Sequence, residues 1–154
     1  MAVATRGGIF VSMWKSSANL NRVCWHAALL EQHVSKHRGK ALGLMIVLPS
    51  AAPPQGAARV EANAVVRRIG PHLRCGVTAA LGETLQAQVV RTVMRGIFLV
   101  SGNAKRHLVV NTEAEGIESI VALVEASAPS RAELVATLSS LHEAPGTEPV
   151  ERVS

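Results

Sequence analysis

Short stretches in which nearly every residue is apolar alternate along this chain with longer stretches in which apolar residues recur at intervals of three and four. Residues 2–5 and 9–14 are apolar, β-branched runs split by Arg6-Gly7-Gly8. A Gly-Gly pair supplies the positive φ that a tight turn needs, so the two runs read as an antiparallel hairpin. Asn19 can cap the helix that follows, in which Leu20, Val23, Ala27, Leu30 and Val34 form a sheet-facing stripe ending near His37, before Gly39. Residues 41–48 are continuously apolar and closed by Pro49. Such a run is too short for an ordinary helix and is apolar on both faces, as a buried parallel strand is. It is the expected centre of the sheet.

A Pro53-Pro54 loop leads to a second helix over residues 57–69, with Val60, Ala64 and Val65 expected inward and Gly70-Pro71 as its stop. Residues 74–81 read as a strand, 84–100 as a third helix ended by Ser101-Gly102-Asn103, and 107–111 as a short strand. A fourth helix is expected over 113–126, with acidic residues in its first turn, and a fifth over 131–142 after Pro129-Ser130. A hairpin followed by αβαβαβαα predicts a single α/β domain over residues 1–142, with one mostly parallel or mixed five-stranded sheet and four to five helices. The tail, residues 143–154, has two prolines and little apolar content and reads as disordered.

Length and composition narrow the picture further. A chain of 154 residues can bury roughly two thirds of its unfolded surface, enough for one core without staples. Two cysteines, Cys24 and Cys75, build no disulfide framework, and no signal-like segment opens the chain, so a cytoplasmic setting is expected. No apolar run approaches the roughly 18–20 residues that span a bilayer, which argues against membrane insertion. The net charge of +5 invites nucleic acid, but charged residues make up only 18% of the chain and it has no Tyr and two Phe. Stacking platforms are therefore scarce, and a nucleic-acid partner is not expected.

The hairpin, the alternation after it and the segment Gly82-Glu83-Thr84 leading into residues 87–97 resemble the STAS-like fold of anti-sigma-factor antagonists and sulfate-transporter ends, within an uncharacterised bacterial branch. The Pro-containing loop of residues 48–54 and Arg59 are similar too, and the likeness covers about residues 2–126. It implies a regulatory or assembly module. In the antagonists the loop after the central strand carries an Asp-Ser pair whose serine is phosphorylated at a helix N-terminus; here Ser50 holds that position with no Asp beside it.

Candidate chemistry is sparse. His33 and His37 lie four apart on the first helix and His26 seven before His33. Zinc needs three or four ligands and no companion stands on that stripe, so no metal is expected. Residues 35–40 are a basic run that complements a helix C-terminus. Arg91 and Arg95, one turn apart and on a face with Thr84, offer two guanidinium forks that suit an anion or an acidic partner. If the stripe of the first helix faces the sheet, Trp25 and Leu29 point the other way, where an indole beside a leucine marks a protein interface. Ile97-Phe98-Leu99-Val100 is apolar all round and needs cover on every side, so Phe98 and Leu99 join Trp25 and Leu29 as expected interface residues.

No phosphate loop, nucleophile elbow or Cys-x-x-Cys motif is present, and no catalytic residue or cofactor is expected. The expected function is a non-enzymatic module with a protein partner, self-associating into a homo-oligomer. The alternative is a small-ligand or anion-binding domain, with or without catalysis, whose site lies at the C-terminal ends of the parallel strands.

Overall fold

The computed structural model describes residues 1–124 and 129–145, and the apolar runs at 2–5, 9–14 and 41–48 become strands. β1 (Ala2–Arg6) pairs antiparallel with β2 (Ile9–Trp14) around a turn in which Gly7 takes φ +53°. β3 (Leu42–Val47), β4 (Cys75–Ala80) and β5 (His107–Val110) then add in parallel, giving the order β1-β2-β3-β4-β5. The expected inner strand is therefore the middle one of a mixed five-stranded α/β sheet.

That sequential order dictates where the helices go. Right-handed crossovers that all step the same way put α1 (Leu20–Lys36), α2 (Gly56–Ile69) and α3 (Leu85–Val100) on one face. The other face is covered by α4 (Glu113–Val121) and α5 (Arg131–Glu143). Side-chain alternation along the strands feeds both layers. Ile9, Val11, Met13, Leu42, Leu44, Ile46, Val77 and Ala79 meet Ile117, Ile120, Leu134, Leu138 and Leu141 in one core. On the opposite face Phe10, Trp14, Val47 and Ala80 meet residues of α1, α2 and α3.

The helix starts follow their caps. Asn19 accepts a hydrogen bond from the Arg22 amide at 2.9 Å, and Thr112 with Glu115 and Ser130 with Glu133 form capping boxes at α4 and α5. Two faces differ from expectation. Leu20 is exposed, as is Val60 on α2. The buried stripe of α2 is Ala58, Val65 and Ile69, with half-buried Ala62 between them. Val65 and Ile69 meet Ala27, Leu30 and Val34 of α1, and the alanines extend that contact toward the start of α2.

The fourth helix closes at Val121, short of the expected 126, and residues 125–128 lie outside the described part. The expected disordered tail begins as the last residue of α5, Glu143, and its residues 146–154 also lie outside the described part. No helix among the described residues is long and apolar enough to cross a membrane.

Candidate functional site

The residues singled out by sequence do not converge on one place. Thr84 is the N-cap of α3, its hydroxyl accepting from the Ala87 amide at 3.2 Å. Arg91 is not one prong of an exposed fork: it is 9% exposed, and its Nη1 donates to the carbonyls of Ala80 and Gly82, each at 2.9 Å. Only Arg95 remains at the surface, reaching the Val109 carbonyl at 3.5 Å. The stripe of two forks is thus one buried guanidinium and one at the surface, because α3 lies with Arg91 over the end of β4.

Ser50 is exposed and donates to the Lys15 carbonyl at 2.8 Å, in the turn after β3 and several residues before α2 begins at Gly56. Trp25 and Leu29 are half-buried. They pack against the two cores that contain Ala58 and Val65 of α2, so the face expected to be open is partly closed by the neighbouring helix. Phe98 is 4% exposed and stacks on His107 with ring centroids 4.3 Å apart, which takes it away from the surface. Leu99 behaves as expected of an outward residue, at 71% exposed.

His33 is buried, and its Nε2–H donates to the Gly8 carbonyl at 3.1 Å; burial pulls its pKa down. No group of three or more His, Cys, Asp or Glu among the described residues could hold a metal ion. Cys24 is exposed and Cys75 buried, both as free thiols.

Two features emerge that the residue patterns hid. The first is the outer side of α3. Leu85, Val89, Thr92, Gly96 and Leu99, spaced by fours and threes, share one helical face, with Val100 beside them. Leu85, Leu99 and Val100 are 76%, 71% and 64% exposed; Leu108 of the edge strand β5 is exposed as well, but on the α4–α5 face of the sheet. A Cβ at Gly96 would meet nothing, so another backbone can come close there.

The second is a partly open cavity of about 140 Å³ between the sheet and the layer of α1, α2 and α3. The strand register builds its floor: Phe10, Gly43, Gly76 and His107 form one row across β2 to β5, and Ser12, Met45 and Thr78 the next. His26 of α1 reaches down from the roof, its Nε2 3.2 Å from Ser12 Oγ and its ring against Phe10 and Trp14. Burial lowers its pKa to about 4, so the imidazole is neutral at neutral pH. His107 closes one end; a hydrogen bond between its Nδ1 and the Asn103 carbonyl, at 3.1 Å, requires the proton on Nδ1 and leaves Nε2 as an acceptor. The Trp14 indole N–H is buried without a partner among the described residues. Among the described residues, no ionised side chain lines the cavity.

The only sequence trace of this cavity was glycine and hydroxyl residues within otherwise apolar strands. No protein-family model, curated protein or solved structure matches the chain.

Proposed function

We propose that the protein is a non-enzymatic regulatory or assembly module, acting through protein–protein contact and associating with a second copy of itself across the outer face of α3 and the edge at β5. The observation that carries this reading is the row of Leu85, Val89, Leu99 and Val100, left uncovered on one side of a helix whose other side is buried. Contiguous exposed apolar surface marks interaction sites. A two-fold pairing would lay this face against its own copy and give β5 neighbours on its open side. The resemblance to the STAS-like fold belongs to the same reading, and with it a cytoplasmic, regulatory setting.

The non-enzymatic character rests on the Ser12–His26 pair. It has the nucleophile–base spacing of a hydrolase, yet among the described residues no carboxylate lines the cavity to orient the imidazole. A histidine with a pKa near 4 is also a weak base.

Hydrogen exchange at two protein concentrations tests the proposal. Amides of α3 and β5 should gain protection as concentration rises, while those of α5 stay unchanged. Equal exchange of all these segments at both concentrations would contradict self-association through this face.

A further inference from the structure

The middle of the sheet is filled on its α4–α5 side and hollow on the other. Leu44 and Val77 fill the first, whereas Gly43 and Gly76 stand at the neighbouring positions of the second. The two glycines have different reasons to be there. At Gly76 a Cβ would lie 2.5 Å from the His107 ring, so the packed histidine excludes any side chain. At Gly43 the nearest atom would be 4.0 Å away and φ is not positive, so neither sterics nor backbone conformation calls for glycine. Glycine inside a strand costs stability and leaves a side chain's worth of contact unmade. A central strand that keeps one without structural need is leaving room.

We propose that this room is a binding site for a small neutral aromatic compound bearing one hydroxyl or carbonyl group, its ring over Gly43 and beside the His107 ring that covers Gly76, and its polar group at Ser12 and His26. Size sets the first limit, since apolar cavities of about 150 Å³ accept a benzene ring and this one measures about 140 Å³. Shape sets the second: Phe10, Trp14, Phe98 and His107 place aromatic surface around the bare backbone at Gly43. Charge sets the third. With no ionised side chain in the walls, an anion or cation would surrender its hydration for nothing.

The hydrogen-bonding groups set the fourth. The Ser12 hydroxyl and the His26 imidazole can each give or take a proton in a hydrogen bond, and the Trp14 N–H is a buried donor with no present use. Residues 51–54, at the carboxyl end of β3, form one wall. The site is independent of the α3 surface.

Calorimetric titration of the full chain with phenol, toluene and benzoate tests this. Phenol should bind saturably, toluene about tenfold more weakly for want of one hydrogen bond, and benzoate not at all, although the net positive chain attracts it on charge. Gly43→Val fills the floor and should keep the fold while weakening phenol at least about tenfold; should that variant fail to fold, Gly43→Ala serves, with a smaller loss. Ser12→Ala should erase the preference for phenol over toluene. Failure of phenol to bind, equal binding of benzoate, unchanged binding in a folded Gly43 variant, or a preference that survives Ser12→Ala would overturn the proposal.

Discussion

At the scale of single residues, two buried polar groups carry measurable consequences. His26 has its pKa lowered by burial from 6.5 to about 4, so the unfolded chain binds its proton more readily than the folded one. Stability is then intact above about pH 6.5 and lost as pH falls toward 4, by up to about 3 kcal/mol from this group. His33 and His107, also lowered by burial, push the same way. Chemical denaturation at a series of pH values should show a shallower acid loss in His26→Gln, which can still hydrogen-bond Ser12 but does not titrate. Arg91 supplies the second test. Its guanidinium holds the Ala80 and Gly82 carbonyls from a buried position, whereas Arg95 stands in solvent. Arg91→Met should cost about 2 kcal/mol and Arg95→Met less than about 0.5 kcal/mol, as read by urea unfolding.

At the scale of elements, how close a helix can approach is set by what the sheet presents. α4 rests on β3 and β4 through Gly116, where a Cβ would come within 3.2 Å of Leu44 and 3.3 Å of Ala79. Gly116→Ala should therefore destabilise by about 1–3 kcal/mol through overpacking, and its melting temperature should fall. The added methyl of Gly43→Ala falls in open space and should not lower it. The elements themselves were legible: runs such as residues 41–48 have one reading, and the cap at Asn19 marked a helix start. Faces were less so. Ala58 shares the buried side of α2 with Val65 and Ile69 while Val60 faces solvent, and nothing in periodicity ranks that alanine above Val60.

The candidate sites suffered most, because they depend on neighbours in space. The register that sets Gly43 beside Gly76, and the helix that swings His26 over Ser12, join residues from four elements. Phe98 and Arg91 looked available in the sequence and are spent inside the fold.

At the scale of the molecule, a chain with net charge +5 is asked to meet its own copy across a helix that contains arginines and no acidic residue. Coulomb repulsion opposes that contact and apolar burial drives it. Raising the ionic strength should therefore strengthen the dimer, the reverse of what a salt-bridged interface would show, and sedimentation at low and high salt would reveal the direction. The same scale holds the most direct test of the account. Light scattering on the wild-type chain should give twice its 16.2 kDa mass, and the double substitution Val89→Ser, Leu99→Ser should return it to a folded monomer. A wild-type chain of single mass at every concentration, or a double variant that stays dimeric, would contradict the outer face of α3 as the surface through which this protein acts.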